Sequence, residues 1–506
     1  MSHNDSTENK RRQLLEAFGR QRGAGSRDAI TRQARPADLP ASAEQLRMWV
    51  QMAISGGAGH FHVPHVLEIA GTLDEAALQA ALRDVVARHE ALRTTFDERE
   101  GRLYQRVHAE LAASLPVHRH AADVTDAEIA RAITTEIAQP FDLAHGPLLR
   151  VSLHRLGDAR QILVLTAHHL IVDGWSLELM LADWWSAYAA RLAGRAPEPP
   201  ASDAPQYADY ALWQQARGAA DSAPSLAYWQ GRLTGATTLQ LPFALPRPAR
   251  RAHDGELVFF AIPAAVRARA EALARRQGGT LFTVMLAAWR CLLGDYAGQD
   301  DFCIGTTASN RVHPGSERIV GFFANLLALR TARQGCATFA ALVERERDTV
   351  ADALRHQAVS FDQVVEQVGV ARDSARSPLF QVNFVLQDTK GAVPGAAEPA
   401  TAAGMPAMTV RDDLYRYAQF DLTLFAELTS DGVRCCTVFR TDLFEAADIE
   451  RLSRTYVQYL DALTAQPDAP FGTLARGDAA TRRRSTRCAA GRAGRSGSRC
   501  PTRSAR

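Results

Sequence analysis

The stretch ILVLTAHHLIVDGWS, residues 162–176, decides the fold class predicted for this chain. Its first six residues are almost all apolar, which is typical of a central strand buried on both faces. A loop with the pattern HHxxxDG follows at once. A helix is then predicted from about residue 177 to residue 192, with Leu181, Trp184 and Tyr188 on its buried side. This order places the polar loop at the end of a rigid element, where binding and catalytic residues are often found.

The residue types in this loop point to acid–base or positioning chemistry. A histidine with an ordinary pKa of about 6.5 can take a proton or hold a substrate by a hydrogen bond at neutral pH. His169 is therefore the first candidate catalytic residue, the alternative being a buried core histidine. His168 and Asp173 belong to the candidate site, but a structural role is favoured for both, with Asp173 paired to an arginine. Gly174 is expected to permit a tight turn and a close approach of the backbone to substrate.

Strand-like and helix-like segments alternate along the chain in two rounds of similar size, which predicts an α/β (α+β) protein of two similar lobes. In the first round, Asp74 is the expected N-cap of a helix that buries Leu78, Leu82 and Val85. The strands predicted in this round are 63–70, 147–156 and 162–167. The second round comprises helices at 263–276, 281–293 and 447–463 and strands at 301–307, 381–387, 421–428 and 433–440.

These rounds define the predicted domains. The N-terminal lobe is residues 36–205, and the C-terminal lobe is residues 206–472. Residues 1–35 are a polar leader with one short amphipathic stretch around positions 14–18. This leader is either solvated or a docking helix that recruits another chain. Residues 473–506 are rich in Arg, Ala, Gly and Ser and are predicted to be a disordered tail.

Composition and charge narrow the classes of function. Of the 506 residues, 46% are hydrophobic and 23% are charged, as in soluble globular proteins. The net charge of +2 conceals an asymmetry, because residues 476–506 contribute +9 and residues 1–35 contribute +4, which leaves −11 on the body of the chain. An acidic body without a basic face interleaved with aromatic residues argues against nucleic-acid binding.

Several other classes lack their characteristic signals. No apolar run approaches the roughly 18 residues of a membrane span, and the N-terminus lacks the pattern of a secretory signal, so a cytoplasmic location is expected. The seven cysteines are odd in number and include no CxxC pair, which predicts reduced thiols and no metal site. Neither Lys10 nor Lys390 lies in a P-loop, and the GxSxG and HExxH patterns are missing.

The loop and six further motifs resemble one enzyme family. HHLIVDGWS (168–176) is similar to the active-site motif of the condensation domains of non-ribosomal peptide synthetases, which are chloramphenicol acetyltransferase-like acyltransferases. The other matching motifs, in chain order, are SAEQLRMW (42–49), RHEALRTTF (88–96), YADYALW (207–213), residues 304–311 with GFFAN (321–325), HQ with SFD (356–362), and RD with RSPLF (372–380). The family usually has alanine where this chain has Glu44. The resemblance covers about residues 40 to 470.

The resemblance implies two chloramphenicol acetyltransferase-like lobes in a V-shaped pseudo-dimer around a central tunnel, acting as a monomer. It implies amide-bond formation between a donor acyl or peptidyl thioester and an acceptor aminoacyl thioester, with His169 positioning the amine or taking its proton. Both substrates arrive on the phosphopantetheine arms of donor and acceptor carrier proteins, and other synthetase modules are further partners. The chain itself is expected to bind no cofactor and no metal.

The same resemblance suggests roles outside the loop. The candidate partners of Asp173 are Arg88, Arg93 and Arg311, and the choice among them stays open at this point. Each of these arginines is equally a candidate for an ordinary fold-stabilising ion pair. The further residues assigned to the tunnel or to its support are Trp213, Asn325 and Ser176.

Several alternatives remain. A related HHxxxDG acyltransferase would use a free amine or alcohol as acceptor, an epimerase-type relative would exchange an α-proton, and a catalytically silent lobe pair would serve as a recruitment platform. The heterocyclising relatives replace the two histidines by aspartates, so cyclisation is not expected. No adenylation or carrier segment is recognisable, so the chain is either a free-standing enzyme or an excised domain. The abrupt change to the Arg-rich tail is typical of a frame-shifted or truncated end, the alternative being a natural tail that contacts acidic carriers.

Overall fold

The computed structural model describes residues 29–55, 61–121, 123–157, 159–199, 201–217, 222–242, 245–371, 373–387, 406–414 and 416–471. The amphipathic stretch at positions 14–18 and the Arg-rich tail lie outside these residues, as do Arg372, Cys488 and Cys500. No helix in the described part of the chain is long and apolar enough to cross a membrane.

The first half of the chain forms one lobe around a mixed sheet. Its elements, numbered in chain order, are β1 (Leu39–Pro40), α1 (Ala43–Ser55), β2 (His62–Ala70), α2 (Glu75–Arg88), β3 (Thr94–Arg99), β4 (Arg102–Val107), β5 (Val117–His120), α3 (Asp126–Ala138), β6 (Leu149–Leu156), β7 (Arg160–His168) and α4 (Gly174–Leu192). The main sheet has the order β12-β2-β7-β6-β5, in which β12 comes from the second half. Strand β7 lies inside this sheet and pairs antiparallel with both β2 and β6. The prediction of a central strand before the HHxxxDG loop is therefore confirmed.

Two helix starts show how far local signals carry. Asp74 caps α2 by accepting a hydrogen bond from the amide of Ala77, as predicted, and Leu78, Leu82 and Val85 are buried. Helix α4 begins at Gly174, three residues before the predicted start, because the carboxylate of Asp173 accepts a hydrogen bond from the amide of Ser176 at 2.7 Å. The cap belongs to the polar loop, whereas the apolar period used for the prediction begins only at Leu177.

The second half forms a lobe around a second sheet. Its elements are α5 (Tyr207–Arg217), α6 (Ala223–Leu233), β8 (Gly255–Pro263), α7 (Ala264–Arg276), α8 (Leu281–Ala297), β9 (Asp301–Ala308), β10 (Asn325–Ala332), α9 (Phe339–Arg355), α10 (Phe361–Val368), β11 (Val382–Gln387), β12 (Ala407–Val410), β13 (Leu422–Thr429), β14 (Gly432–Arg440) and α11 (Ala446–Ala465). The sheet order is β10-β9-β11-β13-β14-β8, with β11 parallel to both β9 and β13. All seven elements predicted in this half are present. Strands β8 and β10 at the two edges, and helix α9, were missed.

The lobes exchange segments across the boundary predicted at residue 206. Strand β12 pairs antiparallel with β2 of the first sheet, with Met408 opposite Ile69. The loop before β10 inserts Ile319, Val320 and Phe322 into the hydrophobic core of the first lobe. The boundary therefore divides the order of the sequence, but the first lobe takes two pieces of its structure from the second half of the chain.

The described chain makes buried contacts before residue 36, within the predicted leader. Ile30 is buried. Arg35 binds the carboxylates of both Glu90 and Asp209, and Arg32 lies 2.7 Å from Glu90. Asp209 is fully buried and also accepts a hydrogen bond from the amide of Gln33 at 2.7 Å. The leader therefore ends before residue 30, and the segment after it joins the turn before β3 to helix α5.

The cysteines of the described chain are consistent with the prediction of reduced thiols. Cys303, Cys336, Cys435 and Cys436 carry free thiols. Burial raises the pKa of Cys303 and Cys435 to about 12, because the thiolate loses its hydration inside the sheet. These two side chains act as small apolar residues of the core.

Removing residues 1–35 is expected to destabilise the fold, whereas removing residues 1–28 is not. The longer deletion leaves two buried carboxylates, Glu90 and Asp209, without their arginines, which we expect to lower the free energy of unfolding by about 2 kcal/mol, since the arginines are partly exposed. Urea denaturation of the two truncated chains measures the difference. Equal stability of the two would show that residues 29–35 contribute nothing.

Candidate active site

The HHxxxDG loop leaves the end of β7 with His169 at its first position. The backbone amide of His169 donates to the carbonyl of Phe61 at 2.7 Å, which continues the β2–β7 pairing by one step. The imidazole lies in a partly buried position with its ring centroid 4.7 Å from that of Phe322. The sheet and the inserted loop of the second lobe therefore hold the residue from two sides.

One hydrogen bond sets the tautomer of His169. Its Nδ1 lies 2.7 Å from the carbonyl oxygen of Val172, which can only accept, so Nδ1 carries the proton. Nε2 then has a lone pair, and it makes no hydrogen bond within the described residues. Burial lowers the pKa of His169 most strongly; the bond to Val172 and the charge of Asp173 oppose this effect, and the charge of Arg47 lowers the pKa slightly further. At neutral pH the ring is uncharged and can accept a proton or a hydrogen bond at Nε2.

His168 points away from this position, into the core of the first lobe, because successive strand residues face opposite sides of a sheet. Its side chain is 1% exposed, and its Nδ1 accepts a hydrogen bond from the amide of Leu170 at 3.1 Å. The rings of Phe61, His62 and Phe141 surround it. The structure therefore gives His168 the packing role that was favoured for it.

Asp173 is a buried junction. Its carboxylate caps α4 and also accepts a hydrogen bond from the amide of Phe323 at 3.0 Å. The guanidinium of Arg311 lies 3.2 Å from Oδ1, and both side chains are 2% exposed. Since every one of these bonds is directed inside the protein, Asp173 organises the loop and is not placed to act as a second base.

Ser176 completes the junction in the first turn of α4. Its hydroxyl donates to the carbonyl of Gly321 at 2.6 Å, accepts from the amide of Gly321 at 3.0 Å and accepts from Arg311 at 2.6 Å. Gly321 must be glycine here, because a Cβ at this position would lie 1.8 Å from the ring of Tyr207. The hydroxyl of Tyr207 in turn donates to the carbonyl of Phe322. Ser176 is thus a structural residue that seats the loop carrying Phe322.

The three candidate arginines are separated by the structure. Arg311 is the partner of Asp173, and it also donates to the carbonyls of Ser316 and Ile319 at 2.6 and 2.7 Å. Arg88 lies 3.8 Å from Asp183 and donates to the carbonyl of Glu198, so it is not part of the site. Arg93 donates to the carbonyl of His108 and lies 4.0 Å from Glu90, which excludes it from the site as well. Sequence could not choose, because the choice depends on which loop reaches α4.

Gly174 has an ordinary backbone conformation, so the tight turn expected of it is wrong. Its φ is not in the left-handed region, and it forms the first turn of α4. A Cβ built on Gly174 would meet no protein atom within 4 Å. Since the fold does not require a glycine here, the open space beside its Cα is the remaining physical reason for one.

Trp213 and Asn325 lie at the edges of the same region. The ring of Trp213 packs against those of Tyr210 and His313, with centroids 6.0 and 4.2 Å away, and so joins α5 to the loop that carries Arg311. The side-chain amide of Asn325 donates to the carbonyls of Gln357 and Val359 and accepts from the amide of Phe361. Asn325 therefore holds a loop of the second lobe, and a role in a tunnel stays a prediction for both residues.

Two charged residues of the first motif, Glu44 and Arg47, were not predicted to matter. The carboxylate of Glu44, which stands where the family usually has alanine, is buried and accepts hydrogen bonds from Tyr210, Gln214 and Asn310 at 3.1 to 3.4 Å. Burial raises the pKa of Glu44. These donors come from α5 and the Arg311 loop, so Glu44 adds a polar connection between three elements.

Arg47 reaches the same ring that packs on His169. Its guanidinium carbon is 5.6 Å from the centre of the Phe322 ring. Nη2 donates to the carbonyl of Ala324 at 3.2 Å, whereas Nη1 is buried without a hydrogen-bond partner among the described residues. A cation with one unused donor thus lies near His169. The sequence carried no signal for it, because an arginine on a helix is usually a surface residue.

Residues 37–483 of this chain match the family model described as the condensation domain. Two large synthetases are among its relatives. The chain is 35% identical over 445 residues to malpinin synthetase of Mortierella alpina, covering 87% of this chain and 6% of that relative. It is 33% identical over 461 residues to the dimodular nonribosomal peptide synthase of Bacillus subtilis, covering 88% of this chain and 19% of that relative. The chain thus spans less than a fifth of the length of either relative.

Solved structures give the same result for the fold. The X-domain from teicoplanin biosynthesis, solved alone and in a complex with OxyB, is 28% identical with a TM-score of 0.77, covering 88–89% of this chain and 99% of that one. SgcC5 of Streptomyces globisporus, solved with a naphthyl ethanediol and sucrose, is 26% identical with a TM-score of 0.67, covering 85% of this chain and 100% of that one. The predicted α/β fold class, of the chloramphenicol acetyltransferase-like type, is confirmed.

Replacing Arg311 by alanine is expected to destabilise the protein far more than replacing Arg88 or Arg93. The substitution leaves the buried carboxylate of Asp173 without its counter-charge, which costs about 3–5 kcal/mol of unfolding free energy. Arg88→Ala and Arg93→Ala, whose ion pairs are longer and more exposed, are expected to cost about 1 kcal/mol or less. Denaturant titration of the three variants measures the ranking. Equal losses in all three would contradict the assignment of Arg311.

Proposed function

The chain belongs to the condensation-domain family, and from this premise we propose that it forms an amide bond between two carrier-bound substrates. The donor is an acyl or peptidyl thioester, and the acceptor is an aminoacyl thioester with a free α-amine. Donor and acceptor carrier proteins, and the synthetase modules that contain them, are the proposed partners. Both thioesters are attached to the phosphopantetheine arms of the carriers, so the chain needs no resident cofactor. A cytoplasmic location and a monomeric state stay predictions.

The observation that carries the proposal is the state of His169. The ring is uncharged, its proton is committed to Val172 through Nδ1, and Nε2 keeps a lone pair that no described residue binds. A neutral imidazole in this state accepts a hydrogen bond from an incoming amine and so directs the nitrogen lone pair at a carbonyl carbon. A merely structural histidine would have no reason to leave Nε2 unused.

The reaction balances with the groups that these substrates bring. The acceptor nitrogen attacks the donor carbonyl carbon, a C–N bond forms, and the C–S bond of the donor thioester breaks. The amine loses one proton, which His169 can take at Nε2, and the departing thiolate of the phosphopantetheine arm regains it. A free α-amine has a pKa of about 8, so only a weak base is required. Positioning of the amine is therefore as important as proton removal.

Arg47 supplies the electrostatic part of the proposal. Negative charge develops on the carbonyl oxygen as the amine attacks, and a preorganised donor in a water-poor site stabilises it strongly. The buried Nη1 of Arg47 has no hydrogen-bond partner among the described residues, and its guanidinium shares the Phe322 ring with His169. We assign this nitrogen to the substrate carbonyl or to its oxyanion.

A free alcohol acceptor is the second candidate. SgcC5, one of the similar structures, was solved with a diol in place, which shows that a relative of this fold holds such a molecule. His169 would bind a hydroxyl as readily as an amine. The test below therefore offers both kinds of acceptor.

A recruitment platform is the third candidate. The X-domain, another similar structure, was solved in a complex with OxyB. A platform needs neither a neutral histidine with an unused Nε2 nor the open space beside Gly174, and this chain has both. The chemistry of the site therefore supports catalysis.

Incubation with a loaded donor carrier and a loaded acceptor carrier is expected to add the mass of the donor acyl group to the acceptor, as followed by intact-protein mass spectrometry. His169→Ala is expected to reduce this rate about 100-fold, since a positioned acid–base group contributes roughly 10²–10⁴-fold. His145→Ala, at an exposed histidine of the same lobe, is the matched control and is expected to react at the wild-type rate.

The outcomes separate the candidates. Acylation of an added diol or free amine, with no change on the acceptor carrier, would move the assignment to a free-acceptor acyltransferase. Exchange of the α-proton of a carrier-bound aminoacyl group without transfer would indicate an epimerase. An unchanged rate in His169→Ala would refute the role given to this residue.

Gly174→Ala is expected to fold as stably as the wild type and yet to react at least about tenfold more slowly. The new methyl group meets no protein atom, and alanine is a better helix former than glycine, so the melting temperature should not fall. The methyl group would instead fill space that a substrate needs beside His169. Thermal unfolding and the carrier assay on the same preparation test this prediction. Loss of stability would mean that the glycine serves the fold.

A further inference from the structure

A polar cluster far from His169 lies between the edge of the first sheet and helix α3. His118 on β5 and His154 on β6 are register partners on parallel strands, so their side chains emerge side by side on one face of the sheet. Their ring centroids are 4.9 Å apart. Glu136 reaches this pair from α3, whose apolar face is buried through Ile129 and Ile133. The cluster thus forms a polar end to an otherwise apolar contact.

The three side chains converge on one point. One ligand atom from each of His118, Glu136 and His154 can be chosen so that all three lie within 4.8 Å of one another. His154 is 5% exposed and Glu136 is 19% exposed, whereas His118 is exposed to solvent. Two imidazoles and one carboxylate in this arrangement are a ligand set that zinc binds in proteins, with a further position open to water.

The surroundings of these groups orient them as metal ligands are usually oriented. His120, two residues along β5, places Nε2 at 2.9 Å from Nδ1 of His154, with the two rings stacked at 10°. The hydroxyl of Ser152 donates to Oε1 of Glu136 at 2.6 Å, while Oε2 of Glu136 lies 3.1 Å from Nε2 of His154. A ligating histidine commonly bonds a partner through its second ring nitrogen, and ligating carboxylates are held by hydrogen bonds.

We propose that His118, Glu136 and His154 bind a divalent transition-metal ion of the zinc class, with His120 and Ser152 as positioning residues. The ion replaces the contact between His154 Nε2 and Glu136 Oε2 and joins β5, β6 and α3. The site is separate from the reaction centre, because Ile162, opposite His154 on β7, is six residues from His168, or about 20 Å along the strand. The ion therefore stabilises the sheet edge and takes no part in the transfer reaction.

Zinc titration of the chelator-treated full chain, without any histidine tag, tests the proposal. We expect one equivalent of Zn²⁺ to bind by calorimetry and to raise the melting temperature, because a ligand that binds only the folded state stabilises it. His118→Ala, at an exposed position that the fold does not need, is expected to weaken binding more than tenfold and to abolish the shift. His120→Ala is expected to weaken it about ten- to a hundredfold. His145→Ala is the control and should bind as the wild type does.

Several results would overturn the proposal. Absence of saturable binding below about 1 mM zinc would do so, as would equal affinity in the wild type, His118→Ala and Glu136→Gln. A thiolate charge-transfer band in the cobalt-substituted protein would show that cysteines are the ligands. The carrier assay, repeated with and without zinc, keeps this result apart from the proposed function, since its rate is expected to be the same in both.

Discussion

The buried ion pair between Asp173 and Arg311 is the contact on which the site depends. Asp173 ends the HHxxxDG loop and starts helix α4, and Arg311 lies on a loop of the second half of the chain. Their contact fastens that loop to the first lobe, where Ser176 and Gly321 bind each other twice. Phe322 is thereby pressed against His169. The position of the reactive ring thus follows from a bond between residues 138 positions apart.

A charged junction of this kind defines geometry more than it adds stability. Removing both charges and replacing them by apolar groups often costs a protein little, whereas removing one of them leaves a buried charge without compensation. The pair therefore strongly disfavours any arrangement in which the loop is displaced. Its many hydrogen bonds also prescribe directions, which apolar contacts do not. In a site where a neutral histidine must be placed within a fraction of an ångström, this directional control is the useful property.

Local signals explain what could be predicted of the fold and site. The alternation of strands and helices follows from apolar periodicity, and the central place of β7 follows from its continuous apolar run. His169 stood out because a histidine in a loop after such a strand is presented to a cleft. The edge strands β8 and β10 were missed, since a strand with one free edge has a weaker apolar pattern. The His118, Glu136 and His154 cluster was missed because its members come from three elements, with no common spacing.

The sequence by itself determined the fold class, the family and the histidine proposed to react, because each is encoded in residues that are neighbours along the chain. Only the tertiary structure decided which arginine pairs with Asp173, which nitrogen of His169 keeps the proton, and that Gly174 borders open space. It also showed that β12 and the Phe322 loop complete the first lobe. The physical reason is the same in most of these cases. Such properties depend on contacts between distant segments, and a contact across many residues leaves no local pattern in a single sequence.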